Sequence, residues 1–194
     1  MKKVIKVIAV LILWMTTVTV EASDTSAFHI YTIGDKKVNV KVSNIRGKAI
    51  SYIKDESGQI LFEKKLKEEG VLNIIFDLAN LSNGKYIFVV EDEFKRHSVP
   101  FELLTDAVEI YMEDSQRINF PQLIKDSELV LVKFLTNESN DLLIAIKTEN
   151  GQLLFQERIE GKLGLIGKRF QFEPGEYLVT LSCNDYTETK YLSF

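Results

Sequence analysis

The chain repeats itself, and each repeat alternates apolar and polar residues with a period of two. Gly58-Gln59-Ile60-Leu61-Phe62-Glu63-Lys64-Lys65-Leu66 returns as Gly151-Gln152-Leu153-Leu154-Phe155-Gln156-Glu157-Arg158-Ile159. Upstream, Val38, Val40 and Val42 recur as Val130, Val132 and Phe134, and downstream Gly84-Lys85-Tyr86-Ile87 recurs as Gly175-Glu176-Tyr177-Leu178. The offset drifts slightly from match to match, which is what duplication followed by small loop changes leaves behind. Alternation of this kind, in short runs bounded by Gly, Asn, Asp and Ser, specifies half-buried strands and excludes amphipathic helices.

Each copy therefore predicts seven strands, the number and spacing of a small antiparallel β-sandwich. The expected fold class is all-β, with two such sandwiches in tandem, residues 23–104 and residues 105–194. No Pro-, Ser- or Gly-rich linker separates them, so they are expected to abut. The second copy is expected to open with a strand at Val108–Glu113 and close with one at Thr187–Phe194. Between Val108–Glu113 and Leu129 lies an irregular stretch, Asp114–Ser127, with no counterpart in the first copy; Pro121 is suited to open one helical turn there, ending at Asp126. Hairpin turns are expected at Asp55-Glu56-Ser57-Gly58 and Glu149-Asn150-Gly151.

The N-terminus reads as a secretory signal over residues 1–22. Lys2, Lys3 and Lys6 form a basic start, Val7–Val20 is largely apolar, and Val20-Glu21-Ala22 offers small residues for cleavage before Ser23. The apolar run is short of the roughly 20 residues a spanning helix needs. Of the 24 basic and 28 acidic groups, the signal takes three lysines and one glutamate, so the exported chain is more acidic than the whole chain's −4. Such a chain carries no electrostatic footprint for nucleic acid or an anionic membrane surface. The single tryptophan, Trp14, lies in the signal, which removes one platform for stacking on sugars. Cys183 is the only cysteine and reads as a small buried strand residue.

The clearest local motif is Leu81-Ser82-Asn83-Gly84-Lys85-Tyr86, echoed as Phe172-Glu173-Pro174-Gly175-Glu176-Tyr177. Leu81, Gly84 and Tyr86, and Phe172, Gly175 and Tyr177, have the spacing of a tyrosine corner, in which the phenol hydroxyl bonds to backbone at the entry to a sandwich strand. The cysteine that a disulfide-bearing immunoglobulin domain carries two residues past the Tyr is replaced by Phe88 and Val179. The resemblance is to the disulfide-free, fibronectin-III-like variety.

Over Asp55–Phe62 and Phe76–Val89, the first copy resembles the D-L-x-x-L-x-x-G-x-Y pattern of small sandwich domains in secreted proteins of Bacteroidota, among them the C-terminal sorting domains of type IX secretion substrates. The second copy keeps G-Q-x-L-F and G-x-Y but has Gln171-Phe172 in place of the Asp-Leu step. A sorting domain trails a large cargo, whereas here the better match is internal. The resemblance implies sandwich folds in a Gram-negative envelope, periplasmic, outer-membrane-associated or secreted.

Motifs of catalysis are missing. His29 and His97 lie in expected strands without ligand spacing, and HExxH, CxxC, G-x-S-x-G and phosphate-loop patterns are absent, so no enzyme activity, cofactor or metal is expected. Glu91-Asp92-Glu93 and Glu113-Asp114 read as solvated turns without a Ca²⁺-loop pattern. The expected role is a protein–protein interaction or structural component of the cell envelope whose partner is another envelope or secreted protein. Glycan binding is the alternative. Contact residues are expected in the irregular stretch and the last strand: Asn119, Phe120, Pro121, Leu123, Tyr191 and Phe194.

Overall fold

The computed structural model describes residues 28–45, 47–66, 70–136 and 140–194; the signal read at 1–22 lies outside the described residues. Backbone contacts divide the chain into two compact units, one running to Ile118 and one from Asn119 to Phe194. Among the described residues the regular structure is strand throughout, apart from one turn of 3-10 helix.

In the first unit the strands are β1 (Phe28–Gly34), β2 (Lys37–Ile45), β3 (Ala49–Asp55), β4 (Ile60–Leu66), β5 (Gly70–Asp77), β6 (Gly84–Glu91), β7 (Lys95–Leu103), β8 (Val108–Ile110) and β9 (Gln116–Asn119), whose last residue, Asn119, belongs to the second unit. They form a three-stranded sheet, β1-β2-β5, and a larger one, β4-β3-β6-β7-β8, with β9 also pairing β7. Val38, Val40 and Val42 of β2 point inward with Ile74 of β5 and meet Ile53, Phe88 and Phe101 from the other sheet. Phe88 and Phe101 stack with ring centroids 4.0 Å apart, the aromatic centre of this core.

The second unit uses β10 (Gln122–Asp126), β11 (Leu129–Thr136), β12 (Leu142–Thr148), β13 (Leu153–Ile159), β14 (Gly164–Gln171), β15 (Glu176–Cys183) and β16 (Tyr186–Ser193). Its sheets are β10-β11-β14 and β13-β12-β15-β16. In both units the first, second and fifth strands make one sheet and the fourth, third, sixth and seventh the other, the same antiparallel sandwich built twice. Here the core is Val130, Val132, Phe134, Ile144, Ile146, Phe170, Val179 and Leu181, all nearly inaccessible. The repeated Gly-Gln step is the hairpin turn in each unit: Gly58 (φ +87°) and Gly151 (φ +81°) take the left-handed conformation that closes β3–β4 and β12–β13.

Two strand expectations are corrected. Val108, read as the start of the second copy's first strand, belongs to β8, which pairs with β7 of the first unit (Leu103 opposite Val108, Phe101 opposite Ile110); the 3-10 turn at Met112–Asp114 ends it. A three-residue strand carries no local sign of which sheet it joins. The stretch Asp114–Ser127 is not irregular, and Pro121–Asp126 forms no helical turn, since Gln122–Asp126 is β10 and pairs residue for residue with β11. Burying Leu123 against the core while Ile124 faces out requires a period of two, and β11 satisfies the backbone.

Candidate functional site

The edge of the larger sheet is where the two units part. In the first, β7 is covered by β8, extended by Tyr111 N–H donating to the Pro100 carbonyl at 3.0 Å. In the second, the corresponding strand, β16, ends its sheet, and among the described residues no strand pairs its outer side. β16 runs beside β15 from Tyr186 opposite Cys183 to Ser193 opposite Glu176 without a bulge.

The hydrogen-bond phase of that edge follows from its end. Gly175 and Phe194 exchange both backbone bonds, each 3.0 Å, so they form a hydrogen-bonded pair. Such pairs alternate along an antiparallel ladder, so the even-numbered residues of β16 bond to β15. Thr187, Thr189, Tyr191 and Ser193 therefore turn their N–H and C=O groups outward, where the Ser193 carbonyl accepts from the Lys125 ammonium. Their side chains lie exposed on the sheet's outer face, where the Thr189 hydroxyl bonds that of Thr180 (2.9 Å) and the Thr187 hydroxyl donates to Ser182 Oγ (3.0 Å). The alternate residues Glu188 and Lys190 are half-buried and form a 3.4 Å ion pair.

Tyr191, 53% exposed, carries the most perturbed group of this strand. Its hydroxyl donates to Glu176, which together with burial and the nearby Glu149 pushes the phenol up to about 12. The same bond draws Glu176 below the ordinary carboxyl value, and Glu149, hydrogen-bonded to the Glu176 carboxylate, is raised. The first unit holds a parallel arrangement: the Tyr111 hydroxyl donates to Glu102 (3.0 Å) and Glu109 (3.2 Å), and its phenol also rises to about 12.

The other contact residues expected from sequence are dispersed. Phe120 is 3% exposed and stacks on Tyr186 (centroids 3.9 Å), and Pro121 is buried beside it, so neither presents contact surface. Asn119 donates to the Leu135 carbonyl (3.2 Å), while Leu123 packs on the core. Phe194 lies flat on Phe172 (4.8 Å), and the Lys125 ammonium sits 4.2 Å from its ring centroid. Tyr191 alone of the six is broadly exposed.

The tyrosine spacing has a direct geometric expression. Tyr86 donates to the Ser82 carbonyl at 2.6 Å and Tyr177 to the Glu173 carbonyl at 3.1 Å, both rings buried. A Cβ at Gly175 would sit 3.2 Å from the Tyr177 hydroxyl, which is why a glycine precedes the ring. Leu81 packs on the first core, and Phe172 meets Tyr177 edge-on at 4.8 Å.

A polar recess of about 810 Å³ in the second unit escaped the sequence reading. Asp141, Arg158, Gln156, Ser182 and Asn184 line it with Leu143. Asp141 accepts from the Gly161 N–H (2.9 Å) and from Arg158 (2.8 Å), which hold its carboxyl below the usual range. Asn184, at φ +49°, donates to the buried Asn140 side chain at 2.7 Å.

The carboxylates of the Glu91-Asp92-Glu93 turn are engaged by neighbouring protein groups. Asp92 accepts from the N–H groups of Phe94 (2.8 Å) and Lys95 (2.9 Å), Glu93 from that of Lys48 (3.3 Å), and Glu91 pairs with Arg96. His97 stacks on Phe28 at 5.6 Å, and Cys183 is buried with its thiol directed at the Asn119 carbonyl, 3.7 Å away.

No family model matches the chain, and no curated protein matches it. Solved structures give partial likenesses. One is the BSP domain of a biofilm-associated protein, at 11% identity and a TM-score of 0.25 over 86% of this chain and 28% of that one. Another is a β-glucuronidase of Parabacteroides merdae, at 11% identity and a TM-score of 0.28 over 86% and 24%. The chain spans about a quarter of the length of either.

Proposed function

We propose that the chain is an exported, non-enzymatic tandem sandwich protein that serves the bacterial cell envelope as a protein–protein interaction or structural component, with the β16 edge as its contact. The observation that carries this reading is the contrast between a β7 edge closed by β8 and a β16 edge that no strand pairs among the described residues, in units that share one seven-strand order. An unpaired, bulge-free edge takes up an extended segment by adding a strand: the main chain supplies affinity and alternate side chains supply selectivity. Export rests on the signal pattern at residues 1–22, and an origin among secreted Bacteroidota proteins rests on the D-L-x-x-L-x-x-G-x-Y pattern of the first unit.

The test is recovery of the tagged protein from crosslinked native cells, wild type beside Thr189→Pro. Proline at 189 removes an outward N–H and no bond to β15, so the fold survives while the edge is blocked. Loss of the co-recovered envelope protein in the variant is the expected result; equal recovery by both would refute the edge as the contact.

A second reading, glycan binding, is favoured by the recess, whose charges are paired and whose Asn184, Gln156, Ser182 and Arg158 offer donors and acceptors together. A saturable tyrosine fluorescence change on titration with a polysaccharide, abolished by Arg158→Ala, would establish it.

A further inference from the structure

The sequence of β16 complements itself. Laid antiparallel against an identical strand with Thr189 at the centre, Thr187 falls opposite Tyr191, Thr189 opposite Thr189, and Glu188 opposite Lys190. All three outward-bonding residues of the central segment then meet outward-bonding residues, so the phase fixed by the Gly175–Phe194 pair is the phase such a ladder needs. The charged residues fall in the non-hydrogen-bonded positions, about 4.5 Å apart at Cα, where side chains interact most closely.

We propose that β16 pairs with β16 of a second copy of this chain about a two-fold axis through Thr189, joining two four-stranded sheets into one; this rests on the edge reading above and names the occupant. Charge complementarity selects that occupant. A lone lysine on an edge strand ordinarily discourages pairing. Here each Lys190 would face the other copy's Glu188, so two opposite-charge pairs form across the axis.

Among the other strands, β4, β13, β14 and β7 lack this match. β4 and β13 carry register shifts against their neighbours, at Ile53/Lys54 and Ile146/Lys147. β14 is bulge-free but brings Lys168 and Arg169 with no acid, so two copies of it would set cations together. β7 is already covered.

Sedimentation equilibrium of the purified protein over a wide concentration range tests the proposal. A monomer–dimer equilibrium is expected, abolished by Thr189→Pro. Glu188→Lys and Lys190→Glu should each weaken it by about tenfold, since each turns two attractive cross-strand pairs into repulsive ones. The double exchange, Glu188→Lys with Lys190→Glu, should restore wild-type association, an outcome that a merely misfolded single variant could not produce. A protein monomeric at every concentration, a dimer indifferent to Thr189→Pro, or a double exchange that fails to restore association would overturn it. The two readings fail separately. A monomer that still recovers an envelope protein through β16 sinks the self-pairing alone, while a β16 dimer that recovers nothing else from cells sinks the envelope-partner reading alone.

Discussion

The two units solve one topology with different cores and different edges. At the centre of the first, Phe88 stacks on Phe101, where the second has Val179 in the equivalent place on β15. Opposite Val40 the first unit buries Ile74; opposite Val132 the second buries Lys168, only 7% exposed, paired with Glu157 and lying 5.3 Å over the Phe155 ring. The neighbouring slot compensates: Ser51 and Lys64 face each other in the first unit, Ile144 and Glu157 in the second. Strand order is thus held by the alternation of buried and exposed positions, which both copies keep, while the chemistry of individual slots is free to drift provided volume and charge balance locally.

The largest effect that would break this comparison is at the aromatic centre. Phe88→Ala should destabilise the first unit by about 3–5 kcal/mol, whereas Val179→Ala should cost the second about 2 kcal/mol. Amide hydrogen exchange resolved to β3 and β12 measures the two separately, and equal losses would mean the cores are not organised differently.

Next comes the buried cation. Burial pushes the Lys168 ammonium below its ordinary value, and the Glu157 carboxylate is its ion-pair partner. Lys168→Ala removes the pair and should cost about 2 kcal/mol, less than a fully buried pair because Glu157 keeps partial access to water. Installing the first unit's residues, Lys168→Ile with Glu157→Lys, should fall within about 1 kcal/mol of wild type. A large loss in that double variant, read by denaturant unfolding, would show that the slots are not interchangeable.

The smallest effect is shared by both units. Tyr111 and Tyr191 each donate to carboxylates and each ionise at about 12 instead of 10.0. A raised folded value means that the folded state holds the proton more tightly, so the contribution is complete below pH 10 and disappears as pH rises toward 12. Absorbance titration at alkaline pH should lose one late-ionising phenol in Tyr191→Phe and a different one in Tyr111→Phe. Loss of both in either variant would deny that the two sites are independent.

Much of the fold was legible because alternation is a local signal. Val38, Val40 and Val42 declare an inward face without help from the rest of the chain. β10 was not legible, since Pro121 and the polar residues around Leu123 resemble a loop until β11 is there to pair with them. Phe120 likewise reads as an exposed loop aromatic and is instead buried on Tyr186. The pairing of Lys168 was not legible either, because its partner, Glu157, comes from the opposite sheet. The openness of β16 belongs to the strand order and is written in no single residue; the self-complementary Thr-Glu-Thr-Lys-Tyr run was visible, but only the bonding phase gives it meaning.

Cys183 puts a clock in one unit and none in the other. Its side chain is 2% exposed, and it is the only cysteine in the sequence. An alkylating reagent must therefore wait for β15 to part from its neighbours before it can react. The rate at which the thiol is consumed counts openings of the second unit while the first stays silent, so the effect of a ligand, a partner or self-pairing on that unit alone can be timed without adding any label to the protein.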